Sequence, residues 1–119
     1  MNAIGIDINP EYKQVFLNRL GLFEHSGRHL DYQVGDARTM LRQIKTASVE
    51  FALTSPPYWD ILHRRRTADL GDSRPYTDDP RDLGNIDEYS AFVSTFEDIT
   101  VEVARTLRHL GAATTLPAP

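Results

Sequence analysis

Residues 49–60 read VEFALTSPPYWD, an apolar run followed by a hydroxyl, two adjacent prolines and two aromatic residues. Apolar runs of this kind predict a strand of a parallel sheet that is covered on both faces. Proline has no N–H to donate to a neighbouring strand, so a single proline would already end the strand. A second proline before Tyr58 and Trp59 therefore predicts a stiff loop that holds two large rings beside a pocket for a flat ligand.

Two further units, each a strand followed by an acid, precede this stretch. Residues 3–6 read AIGI and predict a short buried strand that ends at Asp7, and residues 32–34 predict another that leads to Asp36. Between them, Asn-Pro at 9–10 favours the start of a helix, and the apolar spacing that follows predicts an amphipathic helix. Strands that alternate with helices predict an α/β fold with a parallel sheet.

The second half of the chain contains fewer elements. Residues 60–86 are polar and predict a long surface loop, a kind of segment that is often functional. In residues 87–110 the apolar positions recur every three or four residues, which predicts one long amphipathic helix. Residues 111–119 show no pattern and are expected to be a frayed tail. We therefore expect residues 1–119 to form one domain, with its motifs within residues 1–59.

Composition limits the possible functions. The 119 residues suffice for one small domain, and the absence of cysteine excludes disulfides, thiolate metal sites and a cysteine nucleophile. The four histidines are scattered, so no metal site is predicted. Because no apolar run is long enough to span a membrane and no leader opens the chain, we expect a soluble, cytoplasmic protein without a membrane partner. The net charge of −4 means that a nucleic-acid partner would need a local basic surface.

Three candidate sites follow predicted strands, where ligands of parallel α/β sheets bind. Asp7 could accept hydrogen bonds from ribose hydroxyls, although such an acid can also be solvated or cap the next helix. Asp36 could reach the amino group of an adenine, although Gly-Asp is also common in turns. The Ser55 hydroxyl and the Pro56 carbonyl could accept hydrogen bonds from an exocyclic amino group while Tyr58 stacks on the base. A rigid structural turn is the alternative for that loop.

Four motifs occur in order along the chain: GIDINPEY at 5–12, VGDA at 34–37, TSPPYW at 54–59 and DLGNIDEY at 82–89. Together they resemble the amino-group DNA methyltransferases, which methylate N4 of cytosine or N6 of adenine. The first motif is similar to the one around the acid that holds the ribose of S-adenosylmethionine, and the second to the one whose acid contacts the cofactor adenine. The third is similar to the catalytic motif, and the fourth to the segment that follows the catalytic loop.

This resemblance implies a partial Rossmann-like, S-adenosylmethionine-dependent methyltransferase fold of the kind used in restriction–modification. It implies a catalytic loop formed by Ser55, Pro56, Pro57 and Tyr58. It implies a cofactor site formed by Asp7, Ile8, Asn9, Asp36 and Ala37. Serine at the first position of the catalytic motif is typical of the N4-cytosine branch, and N6-adenine methylation and RNA amino-group methylation are the alternatives. Methylation at carbon 5 of cytosine is excluded, because it proceeds in that family through a cysteine.

The implied partner is double-stranded DNA from which the target base is flipped out of the helix. The candidates for DNA contacts are Trp59, His63, Arg64, Arg65 and Arg66. A solvated charged loop is at least as good an interpretation of the basic residues, because nearby aspartates almost cancel their charge. Trp59 has two equal interpretations, as a wall of the pocket or as a ring packed under the loop.

The chain departs from the family at two places. The glycine-rich cofactor loop should precede GIDI, and its strand would lie between the strand ending at Asp7 and the strand ending at Ser55. Without that strand, two hydrophobic sheet edges would be exposed. After residue 111, where the family continues with further strands, the chain reads like a truncation. We therefore expect the isolated chain to be weak or inactive, with the missing motif supplied by another chain or domain. An inactive remnant or a partner-binding fragment is the alternative.

Overall fold

A computed structural model of the protein describes residues 2–22, 27–57, 59 and 76–115, and for residues 110–115 it describes the backbone only. Strands and helices alternate along the chain, as the sequence predicts. Their bounds are β1 (Ala3–Asp7), α1 (Pro10–Leu20), β2 (Leu30–Val34), α2 (Ala37–Leu41), β3 (Val49–Thr54), a 3₁₀ turn (Leu83–Asn85), α3 (Tyr89–Thr106) and β4 (Leu107–Thr115). The mixed α/β class is therefore confirmed.

The four strands form two parallel pairs rather than one sheet. In the first pair β1 lies beside β2, with Ala3 opposite Leu30 and Asp7 opposite Val34. In the second pair β3 lies beside β4, with an irregularity in register after Val49. Parallel pairing is thus confirmed, but within the described residues β1 and β3 are not hydrogen-bonded to each other.

Local signals explain how the first two helices begin. The Asn9 side chain accepts a hydrogen bond from the N–H of Glu11 at 3.0 Å, and Pro10 occupies the first helical position of α1. Asp36 plays the same part for α2 by accepting from the N–H of Arg38 at 2.9 Å. A side-chain acceptor at this position satisfies an N–H group that has no partner within the helix. The predicted start of α1 is confirmed.

The long helix and the tail need correction. Helix α3 ends at Thr106, so the helix prediction is wrong for residues 107–110, and the frayed-tail prediction is wrong for residues 111–115. Residues 107–115 instead form β4, because hydrogen bonding to β3 outweighs the helical spacing of the local sequence. Residues 116–119 lie outside the described part of the chain.

Little apolar surface is buried in the described part of the chain. Leu41 of α2, 9% exposed, is the only buried apolar side chain there. On β3, Phe51 is 56% exposed and Leu53 is 57% exposed, so the prediction that this strand is covered on both faces is wrong for the described residues. Phe51 and Leu53 are two residues apart and so stand on the same face of β3, and this face is left exposed in the described part of the chain. No helix among the described residues combines the length and hydropathy needed to cross a membrane.

One arginine connects the end of α3 to the segment between α2 and β3. Arg105, on the last turn of α3, donates from Nη2 to the carbonyl of Leu41 at 2.8 Å. Its Nη1 donates to the carbonyl of Ile44 at 3.0 Å and to Oγ1 of Thr46 at 2.8 Å. The guanidinium therefore ties the last turn of α3 to the end of α2 and to the turn before β3, where it donates to the Leu41 carbonyl beside the N–H of Ile44.

We expect Arg105→Lys to lower the free energy of unfolding by about 1–2 kcal/mol, because an ammonium cannot reproduce the planar set of donors. Urea unfolding followed by circular dichroism measures the change. The matched control is Arg108→Lys, since Arg108 pairs at the surface with the exposed Glu50, and we expect a loss below about 0.5 kcal/mol. Equal losses in the two variants would contradict this role for Arg105.

Candidate functional site

Two of the predicted cofactor acids lie at the same edge of a sheet. Asp7 is the last residue of β1, and Asp36 follows β2 after one intervening residue. The strands are parallel with Asp7 opposite Val34, and the N–H of Gly35 donates to the carbonyl oxygen of Asp7 at 2.8 Å. The structure therefore brings Asp7 and Asp36 together at the carboxyl ends of adjacent strands, where parallel sheets bind ligands.

The half-buried carboxylate of Asp7 is an acceptor for two different parts of the chain. Its Oδ1 accepts from the N–H of Asn9 at 2.8 Å. The hydroxyl of Tyr76 lies 2.9 Å from Oδ1 and 2.8 Å from Oδ2, so its proton faces both oxygens. Asp7 therefore links the turn that starts α1 to a residue far along the chain.

Asn9 is held in place at both ends of its side chain. It is 8% exposed, and while its Oδ1 caps α1, its Nδ2 donates to the carbonyl oxygen of Tyr76 at 2.9 Å. Ile8, between the two polar residues, is half-buried. Asn9 therefore acts first as a structural link, and Ile8 contributes apolar surface at the same strand end.

Asp36 is engaged by its own helix. It is 8% exposed, and the guanidinium of Arg38 donates to its carboxylate, most closely from Nη2 to Oδ2 at 2.7 Å. Burial raises the pKa of Asp36, but the hydrogen bonds and charge of Arg38 outweigh burial and hold that pKa below its ordinary value of 3.8. Asp36 therefore caps α2, whose first residue is Ala37, a role that the sequence analysis did not assign to it. The contact to adenine stays a prediction, and it would compete with Arg38.

The polar segment 76–85, part of the predicted loop, folds onto this edge. The ring of Tyr76 stacks on Tyr12 of α1, with centroids 5.2 Å apart and planes 20° apart. The segment is held together by Asn85, whose Nδ2 donates to the carbonyls of Thr77 at 2.6 Å and Asp79 at 2.9 Å. Sequence reasoning missed Tyr76, because one tyrosine in a polar run carries no periodic signal. The 3₁₀ turn of this segment, Leu83–Asn85, lies within the DLGNIDEY motif that the sequence analysis identified.

A buried acid supports the same segment. Asp82 is 4% exposed, and its Oδ1 caps the 3₁₀ turn by accepting from the N–H of Gly84 at 2.9 Å. Burial raises the pKa of Asp82, and the negative charges of Asp7 and Asp79 raise it further. This acid therefore takes up a proton more readily than an exposed aspartate does.

The SPPY loop follows β3, which belongs to the other strand pair. Ser55 is exposed, and Pro56 and Pro57 are half-buried, while Tyr58 lies outside the described residues. Ser55 is therefore accessible to a ligand, but it does not share a sheet edge with Asp7 and Asp36. The expectation of one common edge for all three sites is not met among the described strands.

Trp59 contacts the start of α3. Its Nε1 donates to the carbonyl oxygen of Asp87 at 3.2 Å, and its ring meets that of Tyr89 edge-on with centroids 5.2 Å apart. Of the two interpretations of Trp59, these contacts favour packing under the loop. The other predicted DNA contacts, His63, Arg64, Arg65 and Arg66, lie outside the described residues.

The comparisons with known proteins and a search for metal sites give no further assignment. No protein-family model matches the chain, and neither the curated proteins nor the solved structures contain a match to it. Within the described residues no group of three or more histidine or acidic side chains could hold a metal ion. The candidate functional residues are therefore those at the carboxyl ends of β1 and β2, together with Ser55 after β3.

The depressed pKa of Asp36 predicts a loss of stability in acid. Because the pKa is lower in the folded than in the unfolded chain, the contribution is fully present above the unfolded value and is lost as the pH falls through the folded one. In unfolding measurements between neutral pH and pH values below 3.8, we expect Asp36→Asn to flatten the acid-side decline. The matched control, Asp78→Asn at an exposed position, should keep the decline of the unmodified protein. If the free energy of unfolding declines with falling pH equally in Asp36→Asn and in the unmodified protein, Asp36 does not contribute to the acid-side decline.

Proposed function

We propose that the protein is part of an S-adenosylmethionine-dependent methyltransferase domain. Its substrate is an exocyclic amino group of a base in double-stranded DNA, with N4 of cytosine as the first choice. The observation that supports this proposal is the pair of acids, Asp7 and Asp36, at the carboxyl ends of adjacent parallel strands. A ligand that presents two hydroxyls and, further along, an aromatic amine suits that pair of acceptors.

The residues at this edge have the chemistry that the cofactor requires. Asp7 would hold the ribose hydroxyls, and Ile8 offers apolar surface for the adenine ring. Asp36 and the start of α2 at Ala37 would face the adenine amino group, with Arg38 as the competing donor. When bound, S-adenosylmethionine supplies a methyl group on a positively charged sulfur. The negative charge of Asp7 favours a ligand that carries a positive charge, whereas the charge of Asp36 is already balanced by Arg38.

The proline loop would activate the amine. An exocyclic amine on a base is a poor nucleophile, because its lone pair is delocalised into the ring. The exposed Ser55 hydroxyl and the Pro56 carbonyl would accept its N–H groups and draw the nitrogen towards a tetrahedral form. The lone pair then becomes available to a methyl donor, while Tyr58 stacks on the flipped base. Acceptors that act on a developing geometry in this way contribute to the rate rather than to ligand binding alone.

Calorimetric titration with S-adenosylmethionine tests the cofactor site. We expect Asp7→Ala to weaken binding at least about tenfold, since it removes a charged acceptor for two hydroxyls. Ser55→Ala is the matched control, because Ser55 acts on the target base, and we expect it to bind S-adenosylmethionine as the unmodified chain does. Absence of binding by the unmodified chain, or equal binding by Asp7→Ala, would count against the cofactor site and favour an inactive remnant.

A partner that completes the fold belongs to the same proposal. Phe51 and Leu53 of β3 and Ile4 of β1 are all about half exposed, and among the described residues each strand is paired on one side only. Where α1 meets β2, an open apolar groove, called the α1 groove, is lined by Tyr12, Val15, Phe16, Arg19, Leu20 and Tyr32. A strand beside β1 and β3, followed by a glycine-rich turn and a helix on the α1 groove, would cover these surfaces.

Hydrogen exchange measures whether such a unit docks. A synthetic peptide with an apolar strand, a glycine-rich turn and an amphipathic helix should slow exchange of the backbone amides of β1 and β3. Leu53→Lys should abolish the protection, because it places a charge on the surface to be covered. The matched control, Val101→Lys on α3, replaces a similarly exposed residue and should leave the protection intact. Unchanged exchange in the presence of the peptide would contradict this form of completion.

The nature of the methylated product separates the enzymatic alternatives. With the completed domain, N4-methylcytosine in digested DNA supports the first choice, and N6-methyladenine supports the second. Transfer to transfer RNA in place of duplex DNA would instead support RNA amino-group methylation. Binding of a partner without S-adenosylmethionine binding would identify the chain as an interaction fragment.

A further inference from the structure

The hydroxyl of Tyr76 lies between the two oxygens of Asp7, at 2.9 and 2.8 Å. This is the position from which a vicinal diol would contact the same carboxylate, with one hydroxyl on each oxygen. The two residues are 69 positions apart in sequence, so the contact is a tertiary one that the fold maintains. The inference below rests on the proposed cofactor site at Asp7.

The Tyr76 hydroxyl occupies the space in which a diol would contact Asp7. The N–H of Asn9, 2.8 Å from Oδ1, belongs to the backbone turn that starts α1, so this contact stays. A carboxylate can accept more hydrogen bonds than these two donors supply, so space and not acceptor number sets the limit. Because the Tyr76 hydroxyl lies 2.9 Å from Oδ1 and 2.8 Å from Oδ2, a diol with one hydroxyl on each oxygen can take its place only when Tyr76 moves away.

Two contacts besides that with Asp7 keep Tyr76 in this position. Its ring stacks on Tyr12 at 5.2 Å, and its carbonyl oxygen accepts from Nδ2 of Asn9 at 2.9 Å. Burial and the neighbouring Asp7 carboxylate raise the pKa of the Tyr76 phenol, so its hydroxyl keeps its proton and stays a donor. The backbone contact with Asn9 can persist while the ring moves, because it does not involve the side chain of Tyr76.

We propose that Tyr76 is a gate on the Asp7 site, whose hydroxyl must release the carboxylate before a vicinal diol can bind to both oxygens. The Tyr76 hydroxyl and the diol therefore compete for the same carboxylate. The observed affinity for a diol ligand is then the intrinsic affinity reduced by the fraction of molecules in which Tyr76 is displaced. Ligands without the diol do not need Oδ1 and are not subject to this reduction.

Titration of adenosine and 2′,3′-dideoxyadenosine into the unmodified chain and Tyr76→Phe tests the gate. The Phe ring keeps the stack on Tyr12 but has no hydroxyl. We expect Tyr76→Phe to bind adenosine about tenfold more tightly, and the dideoxy analogue with unchanged affinity. Tyr12→Phe is the matched control, since it preserves the stacked rings and the Tyr76–Asp7 hydrogen bond, and it should not change adenosine binding. Tyr76→Ala removes the ring as well and should also tighten adenosine binding.

A second readout follows Tyr76 directly. With ring-labelled tyrosine, the Tyr76 resonance should titrate at a lower pH when adenosine is saturating, because the phenol has left the Asp7 carboxylate. Adenosine binding that is equal or weaker in both Tyr76 variants would overturn the gate and leave the proposed cofactor site standing. Absence of adenosine and S-adenosylmethionine binding in every variant would overturn both the gate and the proposed function.

Discussion

The half-buried carboxylate of Asp7 is the constraint on which this edge of the structure depends. A charge that is partly removed from water must be satisfied by hydrogen bonds, and Asp7 obtains them from the turn that begins α1 and from Tyr76. The second of these donors brings the segment 76–85 onto the ends of β1 and α1. One acid at a strand end therefore organises a polar segment far along the chain. The two oxygens of the proposed cofactor site therefore also hold this part of the fold in place.

The elements that could be predicted are those whose signals are local. Asn9 and Pro10 define the start of α1 within three residues, and the apolar spacing of α3 is correct up to its last turn at Thr106. Asp36, predicted as a ligand contact or a turn residue, caps α2 and pairs with Arg38 at short range, a role that the sequence analysis did not assign to it. Strand β4 could not be predicted, because its conformation depends on pairing with β3, more than fifty residues away. Tyr76 could not be predicted for the same reason.

The two separate strand pairs explain why the apolar pattern of VEFAL and the observed burial disagree. An apolar strand of a parallel sheet is buried when it has neighbours on both sides and helices on both faces. In the described structure β3 has β4 alone, and Phe51 and Leu53 stay exposed. The sequence pattern thus specifies a more extensive sheet than the described residues form. Asp7 is the last residue of β1 and Ser55 directly follows β3, so the two residues lie at the carboxyl ends of strands from different pairs.

The two acids differ in how easily a ligand could reach them. Arg38 lies two residues from Asp36 and donates to both of its oxygens, as a charged and planar partner that is already close in sequence. Tyr76 offers Asp7 one neutral hydroxyl, and its release leaves the Asn9 contact intact. Because a neutral donor is displaced at a lower cost than a bidentate guanidinium, a ligand would engage Asp7 before Asp36. Recognition at this edge would then begin with the hydroxyls and extend to the amine, and the affinity would depend mainly on the strand end of β1.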